Sequence, residues 1–247
     1  MTSPQPLFIG WSADPPRRRR LLGAGLALAV GGAVGSGLVL AGGRVAIGTG
    51  VWDMGQARTL RGVLSSSPYP SLRTLDLGGS ARTVFLATDG KAAAPLRPES
   101  LDRWVAVSGT LITRGLHAML AVEGVEMARD IEPPGLRVVA TEDHGEVLLT
   151  GEILDAKCWF GAMRPGYGKP HKACAALCAR GGLPLAFCRI GECGAGNEAP
   201  LFLDARGRPH KLDVLPLVAD PVFVRGRLVS VGDVMQLRAA LADIRRL

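Results

Sequence analysis

The chain has 247 residues, of which 47% are hydrophobic, 21% charged and 5% aromatic, with 33 glycines, 17 prolines and a net charge of +7. That composition excludes a disordered polypeptide, leaves room for one large or two small domains, and favours short strands between many turns. Five of the 29 basic residues but one of the 22 acidic ones lie at or before Arg44, which leaves 24 − 21 = +3 for the rest; no basic run interleaved with aromatics occurs there, so nucleic-acid binding is not expected.

Residues 1–20 end in four arginines, Arg17 to Arg20, and residues 21–43 that follow carry no charge. At about 1.5 Å rise per residue, such a stretch crosses a hydrocarbon core of roughly 30 Å. The arginines would keep the first 20 residues in the cytoplasm, with 21–43 as a transmembrane anchor in the inner membrane and the bulk of the chain in the periplasm or its equivalent. The Arg-Arg-Arg-Leu-Leu run also reads as a twin-arginine signal, which exports proteins already folded. Both readings place the main domains outside the cytoplasm.

Beyond the anchor the chain repeats itself. VFLATDGK at 84–91 matches LFLDARGR at 201–208, and WVAVSGTLITRG at 104–115 matches PVFVRGRLVSVG at 221–232, both at an offset of 117 residues. TLRGVL at 59–64 matches LLTGEI at 148–153, with Gly62 and Gly151 only 89 residues apart. The second copy therefore carries an insertion of 28 residues after its first strand. Alternation around Val105 and Val107, and at Leu120 and Val122, predicts strands. The C-terminal MQLRAALADIRRL has helical propensity, but the repeat makes it mainly strand.

Five strands per copy, a connecting segment between the third and fourth (95–103 and 209–220), and glycines inside strands resemble the OB fold. The fold class expected is mainly β: two tandem OB-like barrels, at 52–131 and 146–247, joined by a linker at 132–145 that contains Pro133, Pro134 and Gly135. A six- or seven-stranded sandwich is the alternative. A barrel hung from one N-terminal helix is similar in layout to the haem chaperones of cytochrome c maturation. No haem-attaching histidine stands near the C-terminus, so that resemblance implies architecture alone.

The insertion, about 155–198, holds all five cysteines. KPHKACAALCARGG reads as one short helix, with Pro170 in its first turn, Arg180 in its last and Gly181 as the left-handed residue that ends it. His171, Cys174 and Cys178 then share one helix face, and Cys158 returns across a Gly/Pro-rich loop as a fourth donor. Three thiolates and an imidazole form a complete tetrahedral set for zinc, copper or an iron–sulfur centre. The spacing matches neither common zinc ribbons nor ferredoxins, so the metal is unidentified. Structural disulfides, or a reactive thiol pair made by Cys158 with Cys174 or Cys178, are the alternatives in an exported protein. Cys188 and Cys193, on either side of a Gly-containing turn, are placed to pair with each other.

Other polar residues read as structural. Glu142, Asp143, Glu152 and Asp155 show no spacing that argues for acid–base chemistry over solvated turns. His117 and His210 stand at strand edges facing solvent and His144 in the linker, while Trp159 and Phe160 pin the insertion down. No phosphate loop, nucleophile elbow or triad occurs, so the expectation is a non-enzymatic accessory protein. Its expected role is electron transfer or cofactor delivery beside a membrane oxidoreductase. A thiol–disulfide oxidoreductase and a disulfide-stabilised OB binding module are the competing functions.

Overall fold

A computed structural model describes residues 16–42 and 49–247, with side chains at 23–36 and 49–247. The chain divides into two compact units, Met1–Val45 and Ala46–Leu247. In the first, α1 runs from Pro16 to Gly42, and its side chains at 23–36 are exposed. The expected transmembrane anchor at 21–43 is not supported: among the described residues, no helix is long and apolar enough to cross a membrane. The side chains of Arg17 to Arg20, and those at 21–22 and 37–43, lie outside the described ones.

The second unit contains two small β-barrels in tandem. In the first, β1 (Val51–Ser65), β2 (Ser71–Leu75), β3 (Ala81–Ala87), β4 (Trp104–Arg114) and β5 (His117–Met127) close in the order β1-β2-β3-β5-β4. In the second, β6 (Thr141–Asp155), β7 (Leu185–Arg189), β8 (Leu201–Leu203), β9 (Pro221–Val231) and β10 (Val234–Arg238) follow the same order. A short β11 (Ile244–Arg246) is added on β9. The third and fifth strands of each barrel pair in parallel and every other contact is antiparallel. The C-terminal stretch with helical propensity is β10, a 3-10 turn and β11, so tertiary pairing overrides local preference.

The repeat is visible in the register. Gly62 stands opposite Val105 in the first barrel, and Gly151 opposite Val222 in the second. The offsets of 89 and 117 residues thus meet in one strand pair. A side chain at either position would strike the adjacent strand, 2.5 Å from the Arg73 carbonyl oxygen or 2.1 Å from that of Cys188. The first strands, both 15 residues long, each pair with both neighbours.

Two boundaries differ from those expected. β6 begins at Thr141, inside the expected linker, because its first residues are polar and exposed and read as loop. The helical insertion occupies 156–184, while Leu185–Arg189, assigned to it from sequence, is the second strand of the barrel. That strand is a continuous apolar run buried on both faces, which shows no alternation.

Three buried cores result. Leu64, Leu72, Val105 and Leu120 belong to the first barrel; Phe187, Phe202, Val222 and Leu237 to the second. The third lies between the barrels, where Tyr69, Phe85, Ile112 and Met119 meet Trp159, Phe160, Cys158 and Cys178 of the insertion. The insertion is therefore wedged into the barrel–barrel contact instead of hanging from a finished domain. Trp159 and Phe160 are each only 1% exposed, and removing either aromatic ring should cost about 3–5 kcal/mol.

Candidate metal centre

The site starts where β6 ends. Asp155 caps the irregular helical turn that follows, its Oδ1 accepting the backbone N–H of Cys158 at 2.8 Å. The turn carries Lys157, Cys158, Trp159 and Phe160 into the interior. After a loop, a 3-10 turn at Lys169–His171 leads into α2 (Lys172–Arg180). The left-handed residue after α2 is Gly182, φ +78°, and not Gly181, whose φ is −76°. Gly181 is required for another reason: a Cβ there would lie 1.9 Å from the carbonyl oxygen of Lys91 in the first barrel.

Of the four donors expected from sequence, Cys158, His171 and Cys174 come together in one group, and Cys178 joins Cys158 in a second group that includes Asp155. Cys158 Sγ lies 3.7 Å from Cys174 Sγ and 4.0 Å from Cys178 Sγ. Ligand atoms of Cys158, His171 and Cys174 all fall within 4.8 Å of one another, as do those of Asp155, Cys158 and Cys178. Two thiolates bound at about 2.3 Å to one tetrahedral ion stand about 3.8 Å apart, close to both sulfur separations. All three cysteines are free thiols.

His171 shows how it would bind. Its Nε2 is 2.6 Å from Oδ2 of Asp155, both side chains being fully buried, whereas its Nδ1 is buried without a hydrogen-bond partner. An unpaired buried nitrogen is costly, and one ring nitrogen of His171 lies within 4.8 Å of the Cys158 and Cys174 sulfurs, within reach of an ion they would share. A carboxylate hydrogen-bonded to a ligating imidazole fixes its tautomer and raises its basicity. Sequence reading made Asp155 a solvated turn residue; its spacing of three residues before Cys158, that of a helix cap, was the available signal.

Two lysines adjoin the sulfurs. Lys91 Nζ donates to Cys174 Sγ at 2.7 Å, and that hydrogen bond holds its ammonium above the ordinary lysine range. Lys157 does not serve Cys158, although adjacent in sequence. Its Nζ donates to the carbonyls of Thr88, Asp89 and Gly90 at 2.7, 2.7 and 2.6 Å and sits over the Trp52 ring, and burial lowers its pKa. It thereby fixes the first-barrel loop that delivers Lys91. The Cys158 thiol is pushed far up, first by its hydrogen bond with Cys178 and then by burial and the nearby Asp155 charge. Lys91 carries no local sequence signal, being 83 residues from Cys174.

Cys188 and Cys193 form a disulfide, from the end of β7 to the following loop. Arg114, the last residue of β4, grips that loop. Its guanidinium donates to the carbonyls of Cys193, Gly194, Gly196 and Trp159, stacks 4.0 Å from the Trp159 ring and is only 3% exposed. Burial lowers its pKa. The other histidines lie apart from the cysteines. His117 stacks on Phe160 at 4.9 Å and accepts the Ala199 N–H, and His210 stacks on Phe202 at 4.7 Å. Both are less exposed than expected, because the second barrel packs on His117 and the β8 aromatic on His210. His144 is exposed on β6, 3.0 Å from Ser230 Oγ. No protein-family model matches the chain, and neither a curated protein nor a solved structure matches it.

Proposed function

We propose that this is a metal-binding accessory protein of an extracytoplasmic compartment, with one ion held by Cys158, His171 Nδ1, Cys174 and Cys178. The observation that carries the reading is the close grouping of Cys158, His171 and Cys174, with Cys178 Sγ 4.0 Å from Cys158 Sγ and all three cysteines free. Sulfur separations of 3.7 and 4.0 Å favour a single ion over a multinuclear iron–sulfur cluster, with zinc, copper or iron as candidates. Four protein donors leave no open coordination position, which argues for holding, passing on or changing the charge of an ion over activating water.

The partition of the cysteines supports the compartment. Cys188 and Cys193 are joined in a disulfide while Cys158, Cys174 and Cys178 stay reduced, as suits an oxidising environment and a thiol set reserved for a ligand. The arginines and apolar residues before Arg44 are the proposed means of tethering or export, and an OB-like barrel pair beside a membrane oxidoreductase is the proposed setting.

Elemental analysis of the purified chain, with a count of alkylatable thiols, tests the reading. One ion per chain, three thiols protected until a chelator is added, and loss of the ion in His171→Ala are the expected results. A metal-free chain that cannot be loaded, or a disulfide involving Cys158 in the freshly purified protein, would overturn it.

A further inference from the structure

We propose that the centre is an oxidant-sensitive switch in which Cys174 is attacked first, joins Cys158 in a disulfide and expels the metal. This rests on the metal reading above and adds to it the chemical class that would act on the site, a hydroperoxide.

The three thiols differ in access and in distance. Cys158 and Cys178 are buried, whereas Cys174 is partly exposed, so a small oxidant meets Cys174 first. Cys174 stands in the first turn of the nine-residue α2, and Lys91 Nζ donates to its sulfur at 2.7 Å. Its greater access, with a cation at its sulfur, marks Cys174 as the thiol a small oxidant reaches before the two buried ones. Its nearest sulfur is that of Cys158, at 3.7 Å. Cys178 stands one helical turn further along α2, and two cysteines on one helix face that way cannot close a bond without unwinding it. The order of events therefore follows from the geometry: oxidation at Cys174, resolution by Cys158, Cys178 left as a thiol.

The balance is simple. Cys174 sulfur attacks the distal peroxide oxygen, the O–O bond breaks and the alkoxide or hydroxide leaves with a proton from solvent. The sulfenic acid so formed is attacked by the Cys158 sulfur, the S–S bond forms and the oxygen departs as water with a second solvent proton. Two thiolate electron pairs have become one disulfide, one hydroperoxide has become an alcohol (or water, if hydrogen peroxide) plus water, and the ion has lost two of four donors. Cys178 and His171 retain it too weakly to compete with solvent.

The test uses the full-length chain, purified in detergent without oxygen and with its metal content measured, then exposed to one equivalent of hydrogen peroxide. A chromophoric chelator reports released metal, and peptide mapping without reduction reports the bond formed. The expected result is one ion released per Cys158–Cys174 disulfide, with Cys178 still alkylatable, and the same bond in Cys178→Ser. Release slowed at least tenfold in Cys174→Ser is also expected; if that variant does not load, mapping of the parent chain decides alone. Metal retained under peroxide, or released with a disulfide that omits Cys174, overturns the switch while leaving the metal reading intact. A chain that takes up no metal overturns both.

Discussion

Asp155 is bonded to both His171 and Cys158: its Oδ2 is 2.6 Å from Nε2, while its Oδ1 accepts the N–H of Cys158, so one fully buried carboxylate orients two proposed ligands. Asp155→Asn preserves the size but cannot accept at both oxygens, and it removes the negative charge that favours metal-bound imidazole. Removing such a supporting group costs about 10–100-fold in metal affinity. Competition against a chelator of known affinity checks this, and a circular dichroism spectrum equal to that of the parent separates weakened binding from unfolding. Unchanged affinity would make Asp155 a helix cap and no more.

Arg114 has no carboxylate partner among the described ion pairs, yet its guanidinium is buried against four carbonyls and the Trp159 ring. Planar geometry with five donors explains why arginine occupies this point, since a lysine can reach only part of the fork. Arg114→Lys should destabilise the chain by about 2–3 kcal/mol, and Arg114→Ala by more, because each leaves buried carbonyls unpaired. Denaturant unfolding measures the loss, and Trp159 fluorescence should shift in parallel because its ring loses the stacked cation.

The barrels were readable because their glycines repeat for a steric reason: at Gly62 and Gly151 an adjacent strand passes too close for any side chain. The nearness of Cys158 to His171 and Cys174, and to Cys178, was readable because all four lie within 21 consecutive residues, 158–178. What escaped notice depends on the barrel–barrel contact. Lys91, Arg114 and His117 sit in the first barrel, far along the chain from what they touch, and as isolated polar residues they look solvated until a second surface covers them. Asp155 and Thr141 were misplaced for a related reason, since a polar residue reads as turn whether it caps a buried helix or faces water on a strand.

Gly181 tests whether the first barrel helps to close the site. Its backbone N–H is bonded to Leu177, its carbonyl accepts the Ala93 N–H at 2.9 Å, and a Cβ would lie 1.9 Å from the Lys91 carbonyl oxygen. Gly181→Ala must push residues 91–93 away, for a cost of about 1–3 kcal/mol by overpacking. Because those residues carry Lys91, metal release to a chelator should also quicken severalfold. Gly135→Ala, at a left-handed position with open space around it, is the control: backbone strain without effect on release.

His117 gives the chain a pH dependence of stated sign. Burial is the largest cause of a pKa lowered from 6.5 to about 4, with the nearby Arg114 and Arg82 charges adding to it. The folded state thus binds this proton less readily than the unfolded chain. Above pH 6.5 both states hold His117 neutral and its full contribution is present; as the pH falls from 6.5 towards 4 the unfolded state protonates alone, and that contribution is lost. The loss amounts to at most about 3 kcal/mol, on the order of 1.4 kcal/mol per pH unit at its steepest. His117→Gln keeps an acceptor for the Ala199 N–H but does not titrate, so its unfolding free energy should fall less over the same interval. Parallel curves for parent and variant between pH 7 and 4 would place the acid sensitivity elsewhere, and a steeper curve for the variant would contradict the buried, neutral His117 on which the Phe160 stack depends.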